Sequence, residues 1–257
     1  MFELILVTLA SLMAGTIDAI VGGGGLILVP ALFAAYPGAP PATLFGTNKG
    51  GAILGTAFAA WRFLRKIELR WATWLPAVAA ALAGSGLGAW TVTLIDARPL
   101  RIALPLLLLV LLVYTLAKKE LGRQHAPRHG PRAEALWASG ISLAIGFYDG
   151  LFGPGTGSFF VFLFVRLLGF DFLHASAAAK LMNTATNASA LTLFVATGHI
   201  WWGVALCLAL ANVAGSFVGT YLALKKGAGF VRTVFVGVVM TLVAKTGWDA
   251  WQLLQAG

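Results

Sequence analysis

This sequence has few charged residues and a single cysteine. Only 11% of its 257 residues are charged, against about 25% in an average soluble domain. Hydrophobic residues make up 59%, and the mean hydropathy is +0.87. Such a chain cannot cover itself with a water-compatible surface, so the composition excludes a soluble domain and indicates an integral membrane protein. The single cysteine, Cys207, excludes an intrachain disulfide and a cysteine-based metal cluster.

Acidic residues are half as frequent as basic ones, with 9 Asp and Glu against 18 Lys and Arg. In a membrane chain this excess marks cytoplasmic loops and anionic lipid headgroups, so we predict a lipid bilayer and no nucleic acid as partner. The sequence also lacks HExxH, GxSxG and GxxxxGK[ST] motifs, so it indicates no enzyme, cofactor or metal site. His125 and His129 flank Pro127 and form only a weak metal motif.

Glycine is abundant, and its placement reveals a repeat. The stretch GTIDAIVGGGGLILVP (15–30) has a counterpart in GFYDGLFGPGTGSFFV (146–161), at an offset of 131 residues from Asp18 to Asp149. The same offset relates Lys49 to Lys180 and GSGLG (84–88) to GSFVG (215–219). We interpret this as an internal duplication. Its predicted parts are a first repeat at 1–117, a basic cytoplasmic linker at 118–133 and a second repeat at 134–257.

Apolar segments recur at matching places in the two halves. They cover 4–21, 25–36, 41–61, 71–94 and 99–117, and then 134–152, 157–168, 174–197, 201–224 and 231–254. The second segment of each half spans about 18 Å as helix, too short for a hydrocarbon core of about 30 Å. The first two segments therefore form either one broken crossing or a re-entrant hairpin that returns to the same side.

Loop charges favour the hairpin. With hairpins, 13 Lys and Arg residues share one side and only Arg98 and Arg101 face the other, as the positive-inside rule expects. The predicted fold is therefore an all-α, polytopic membrane bundle of two inverted repeats, each with a glycine-tipped hairpin and three spanning helices, eight to ten segments in all. Both termini are predicted to be external. Inverted repeats with broken helices are typical of secondary transporters.

Asp18 and Asp149 are the candidate coupling residues. A carboxylate in an apolar segment is costly and usually faces the interior of the bundle. Each could cap the loose amides of the adjacent glycine run, or take part directly in proton or cation coupling, and one group could do both.

The glycine runs are candidate anion sites, because they leave backbone amides uncovered at the start of a helix. Close packing is the alternative role for these glycines, and it is the main role expected of the GxxxG motifs. The predicted binding residues of the runs are Gly22, Gly23, Gly24 and Gly25 in the first half, and Gly153, Gly155, Gly157 with the hydroxyl donors Thr156 and Ser158 in the second.

Lys49 and Lys180 complete the predicted site. Each lysine could reach outward along its helix to the membrane surface, attract an anion, or pair with a buried aspartate. Lys180, Asn183 and Asn187 share one helical face by their spacing, whereas the first half offers Asn48 beside Lys49. The polar face is therefore richer in the second half.

These motifs resemble the TauE/SafE sulfite exporter family, also called TSUP. The resemblance rests on GTIDAIVGGGGLILVPAL and GFYDGLFGPGTGSFFV, with TNKG and AKLMNTATN downstream. It implies a transporter of small sulfur-containing anions, such as sulfite, thiosulfate or sulfoacetate, in the cytoplasmic (inner) membrane. An anion channel and a membrane assembly factor are the alternatives. The coupling ion (H+ or Na+), the direction of transport and homodimer formation are left open.

Overall fold

The computed structural model describes residues 1–91, 122 and 124–255. Its ordered elements are helical and include no strand in these ranges, which confirms the predicted all-α class. The helices are α1 (Phe2–Val21), α2 (Gly25–Ala35), α3 (Pro41–Leu64), α4 (Trp71–Thr91), α5 (Pro131–Leu151), α6 (Thr156–Leu163, continued by a π-helical turn at Phe164–Leu168), α7 (Phe172–Ala196) and α8 (Trp202–Gln255).

Membrane-length apolar helices are part of this set. Among the described residues, Phe2–Val21, Trp71–Thr91 and Trp202–Thr241 are long and apolar enough to cross a bilayer. Helix α2 has 11 residues, about 16 Å, and is too short to cross, as predicted. The chain is therefore a multi-pass membrane protein. The predicted segment 99–117 lies outside the described residues.

Helices α1 and α2 form a hairpin with the glycine run at its tip. Gly24 contacts the backbone of Ala14, and further along α2 the side chains of Leu28 and Leu32 cluster with Val7, near the start of α1. Helix α2 thus runs back along α1. This arrangement agrees with the re-entrant hairpin and not with one broken crossing.

The second half repeats the hairpin with α5 and α6. Thr73, near the start of α4, donates a hydrogen bond of 3.0 Å to the Glu134 carboxylate, near the start of α5. The neighbouring Trp74 ring packs edge-on against Phe164, just past the end of α6 (5.1 Å between ring centroids). Helix α6 therefore ends at the same level at which α5 begins, so it also turns back.

GxxxG glycines join each hairpin to a helix of the other half. A Cβ atom at any of the four glycines would overlap the facing backbone, so only glycine permits this close approach. Gly84 and Gly88 of α4 lie against Leu143 and Phe147 of α5, and Gly215 and Gly219 of α8 lie against Leu12 and Thr16 of α1. The partners obey the offset of 131 residues, and the expected packing role of these motifs is confirmed.

Helices α3 and α7, which correspond to each other by that offset, run antiparallel in direct contact. Gly46 near the start of α3 faces Phe194 near the end of α7, while Asn187 donates to Thr56 further along (3.3 Å). Equivalent helices that point in opposite directions are the defining feature of an inverted repeat. The exact repeat boundaries stay a prediction.

Helix α8 is divided where the sequence predicts a division. The sequence predicts separate segments at 201–224 and 231–254, and the non-helical backbone of Gly227, with φ 74° and ψ −171°, interrupts Trp202–Gln255 between them. Lys225 and Lys226 lie in the last helical turn before this break.

Candidate functional site

A small polar cavity lies where the two hairpin tips meet α3 and α7. Its volume is about 40 Å³, which is room for about three water molecules. It is lined by Ala14, Asp18, Gly23, Gly24, Gly25, Leu28, Asn48, Lys49, Ala52, Thr56, Asp149, Gly153, Gly155, Thr156, Gly157, Asn183, Asn187 and Asn212. Thirteen of the predicted site residues are in this lining. Gly22, Ser158 and Lys180, also predicted, lie behind it.

Two buried ion pairs cross between the halves. Lys49 Nζ lies 2.6 Å from Asp149 Oδ2, and Lys180 Nζ lies 3.0 Å from Asp18 Oδ2. Each lysine thus contacts the aspartate of the opposite repeat, and the offset of 131 residues converts one pair into the other. Burial excludes lysines that reach out to the membrane surface: the Lys180 side chain is 0% exposed and that of Lys49 is 6% exposed. The four charges cancel one another.

The two aspartates differ in their further contacts. Asp18 Oδ1 accepts a hydrogen bond of 3.3 Å from the Gly24 amide, so the predicted capping role holds for this residue. Among the described residues, the Asp149 carboxylate accepts a hydrogen bond from Lys49 and none from a glycine amide of the second break. Asp149 therefore has an oxygen to spare where Asp18 has none.

Left-handed backbone forms both glycine breaks. Gly22, Gly23, Gly153 and Gly155 have φ values of 79°, 104°, 88° and 85°, a region that other residues rarely adopt. Helices α2 and α6 begin after these turns and bring positive helix ends to the cavity. Some first-turn amides already have partners, because those of Leu26 and Thr156 donate to the Gly23 and Gly153 carbonyls (3.0 and 3.2 Å).

The breaks also pack against each other. A Cβ atom at Gly22 would overlap the backbone of Gly157, and Ser158 Oγ donates a hydrogen bond of 3.3 Å to the Gly22 carbonyl. Thr156 Oγ1 donates to the Gly153 carbonyl at 2.6 Å. Thr156 and Ser158, predicted as ligand donors, thus already donate their hydroxyl hydrogens to backbone carbonyls. The glycines serve close packing and line the cavity at once.

Asparagine side chains supply most of the remaining polarity. Asn48 and Asn183 line the cavity, and their buried Oδ1 atoms have no hydrogen-bond partner within the described part of the chain. Asn187 donates to Thr56, and Asn212 donates to the Ser11 carbonyl at 3.3 Å. Asn212 lies beside Gly15 of α1, a position that becomes visible only in three dimensions.

A separate polar cluster lies at the linker. His125 stacks on His174 (3.9 Å between ring centroids) rather than pairing with His129, and with Asp171 these groups place ligand atoms within 4.8 Å of one another. Burial raises the pKa of Asp171, but hydrogen bonds from the His174 side chain and amide outweigh this and leave the pKa below its usual value. Asp171 is the N-cap of α7, so its contact with His174 has a structural role.

The fold and cavity together define a multi-pass helical membrane protein with inverted hairpins around a buried polar centre. The family model "Sulfite exporter TauE/SafE" matches residues 7–246. The chain therefore belongs to the TauE/SafE family, a family of membrane transporters.

Named relatives agree with this class. The chain is 36% identical to "Probable membrane transporter protein ORF9" of Sinorhizobium sp over 236 residues, covering 92% of this chain and 89% of the relative. It is 36% identical over 241 residues to "Probable membrane transporter protein YfcA" of Escherichia coli K12 (93% and 88% covered). A "Probable membrane transporter protein" of Haemophilus influenzae is 37% identical over 238 residues (92% and 91% covered). No solved structure matches.

Proposed function

We propose that this protein is a secondary transporter of small sulfur-containing anions, with the cavity between the hairpin tips as its substrate site. The observation that carries this proposal is the meeting of two helix N-termini, at Gly25 and Thr156, with the ammonium group of Lys49 in one buried space. Helix N-termini and ammonium groups both attract anions, and they do so strongly away from bulk water.

The size of the cavity favours the smaller anions among those associated with the family. About 40 Å³ holds roughly three water-sized groups, so sulfite or thiosulfate demands less rearrangement than an organosulfonate such as sulfoacetate. Leu28 is the one large aliphatic residue among the lining residues described. This composition suits a compact, highly oxygenated ligand.

Movement of one repeat against the other supplies the transport step in this proposal. Both ion pairs link residues of opposite repeats, so rocking the halves would strain or exchange these contacts while the site stays central. Asp18 and Asp149 are the coupling candidates for H+ or Na+. We place the protein in the inner membrane, with the linker cytoplasmic and both termini external; a reporter fused to the C-terminus that reads as cytoplasmic would contradict this orientation.

Uptake by proteoliposomes tests the proposal. Labelled sulfite, thiosulfate and sulfoacetate are supplied with and without proton or sodium gradients, and a simple carboxylate such as acetate serves as the control anion. We expect saturable, gradient-stimulated uptake and counterflow of at least one sulfur anion. Absence of transport for every sulfur anion contradicts the proposal. Unsaturable flux without counterflow indicates a channel, whereas a stable co-purifying partner with no anion binding indicates an assembly factor.

A further inference from the structure

We propose that the two buried ion pairs have different jobs, an inference that rests on the transport function proposed above. The exchange pair, Lys49–Asp149, opens so that Lys49 binds the transported anion while Asp149 takes up a proton. The brace pair, Lys180–Asp18, stays closed and positions the first glycine break. The sequence repeat alone would give both pairs the same role, so the evidence for different roles comes from their surroundings.

The first difference is access to the cavity. Lys49, Asp149 and Asp18 all line the cavity, whereas Lys180 does not and its side chain is 0% exposed. An anion in the cavity therefore meets the Lys49 ammonium directly. Lys180 can reach such an anion only after a rearrangement of α7 or of the Asp18 side chain.

The second difference is the number of partners on each carboxylate. Asp18 uses Oδ2 for Lys180 and Oδ1 for the Gly24 amide, so a proton on Asp18 would break an ion pair and loosen the glycine break together. In the part of the chain that the structure describes, Asp149 receives its hydrogen bond through Oδ2, from Lys49. Its Oδ1 atom lies beside Gly153, on the wall of the cavity. A proton can therefore join Asp149 without disturbing a backbone contact.

The third difference lies in the nearby asparagines. The second repeat contributes Asn183, Asn187 and Asn212 to the cavity lining, and the first contributes Asn48 next to Lys49. The positions that match Asn183 and Asn212 in the first repeat are Ala52 and Ala81. The asparagine side chains of the cavity are therefore unequally divided between the repeats, so the site is two-fold in its charges but not in these neighbours.

Charge balance sets the order of events. While the exchange pair is closed, the Lys49 charge is already compensated and a second anion would leave excess negative charge in a buried space. When a proton from water joins Asp149, Lys49 keeps its own proton and gains a singly charged anion, such as hydrogensulfite, as its partner. One proton and one such anion enter together, and no net charge is added to the cavity.

The groups that influence Asp149 are few. Lys49 faces it from α3, Tyr148 adjoins it on α5, and the brace pair lies across the cavity on α1 and α7. Helix α4, which packs along α5, contains no titratable residue. Lys49 is therefore the dominant charged neighbour of Asp149, and when Lys49 turns to a bound anion, Asp149 loses its main counter-charge.

Matched double variants test this division. Asp149→Asn with Lys49→Met removes the exchange pair, and Asp18→Asn with Lys180→Met removes the brace pair; both leave the cavity neutral and avoid an unpaired buried charge. Sulfite uptake is measured in proteoliposomes with and without an inward proton gradient. We expect the exchange double variant to lose at least about tenfold in uptake, as for removal of a charged hydrogen bond to the ligand. The brace double variant should take up sulfite more slowly but keep the wild-type ratio of stimulated to unstimulated uptake.

A single variant isolates the proton. Asp149→Asn resembles the protonated acid, so counterflow of sulfite should persist while stimulation by the proton gradient disappears. Purified wild-type protein should also take up more protons than Asp149→Asn when sulfite is added in weak buffer, a readout that does not require transport. Equal loss of stimulation in both double variants, no difference in proton uptake, or stimulation by sodium instead of protons would overturn the division. Failure of wild-type protein to move any sulfur anion would instead refute the transport function itself.

Discussion

The two ion pairs follow from one repeated motif, yet they occupy different surroundings. Lys49 and Asp149 both line the cavity, and Asp149 has a spare carboxylate oxygen; of the other pair only Asp18 lines it, while Lys180 lies outside the lining and Asp18 is tied to the Gly24 amide. The difference shows how a duplicated unit gains a directional site: the scaffold contacts stay two-fold while the immediate neighbours of each pair diverge.

Lys180→Ala should destabilise the protein by about 3–5 kcal/mol, because it leaves Asp18 as an unpaired buried charge. Lys49→Ala should cost clearly less, because Lys49 lines the cavity and water there can fill the space that the side chain leaves, whereas the Lys180 side chain is 0% exposed. The check is unfolding in detergent by denaturant. Equal losses for the two variants would remove the distinction, and recovery of stability in the Asp18→Asn, Lys180→Met double variant is the internal control.

Gly22→Ala should disturb the first break more than Gly153→Ala disturbs the second. Both positions have positive φ, which costs on the order of 1–3 kcal/mol for another residue. At Gly22 the new Cβ also overlaps the Gly157 backbone, while at Gly153 the nearest atoms lie 3.2 Å away or more. Thermal unfolding measures the difference. Gly38→Ala, which meets no atom within 4 Å, is the neutral control.

Gly84→Ala and Gly215→Ala should destabilise the protein about equally, by roughly 1–3 kcal/mol for overpacking. Each new Cβ would overlap a backbone carbonyl, of Leu143 or of Leu12, and these contacts correspond by the repeat offset. Unequal shifts in melting temperature would show that the scaffold is as asymmetric as the site. Gly203→Ala, with open space around it, serves as the matched control.

Asp171→Ala should cost about 1 kcal/mol through loss of the N-cap of α7, with the proton-gradient response intact. The equivalent cap of α3 is Pro40, which offers no side-chain hydrogen bond. Because the folded-state pKa of Asp171 is depressed, its contribution is present above its usual pKa and is lost as pH falls through the lowered value. Thermal unfolding at neutral and acidic pH should show this, and Asp171→Asn should retain most of the stability at neutral pH.

Much of the fold could be predicted because glycine, charge and apolar length are local signals. Both hairpins and the short helix α2 follow from the broken apolar runs, and the count of loop charges chose the re-entrant topology that α1 and α2 adopt. The division of α8 could also be predicted, because Gly227 interrupts the helix between the two predicted segments, 201–224 and 231–254.

The candidate site was predicted as a set of residues but not as a set of contacts. Sequence spacing put Lys180 on one face with Asn183 and Asn187, and so favoured a common ligand. In the folded chain the asparagines line the cavity, while Lys180 reaches Asp18 behind it. Helical spacing indicates the helix face on which a residue lies, but not the opposite charge with which it pairs in the folded chain.

The sequence by itself determined that this chain is a duplicated, glycine-broken membrane protein with a few charges inside an apolar body. Those properties depend on composition and on the fixed offset between the repeats, and both can be read from the sequence without a structure. Only the tertiary structure decided that each lysine pairs with the aspartate of the other repeat, because that pairing depends on two antiparallel halves meeting at their hairpin tips. Tertiary packing likewise decided that Lys49 and not Lys180 lines the cavity, since burial depends on neighbours that are distant in sequence.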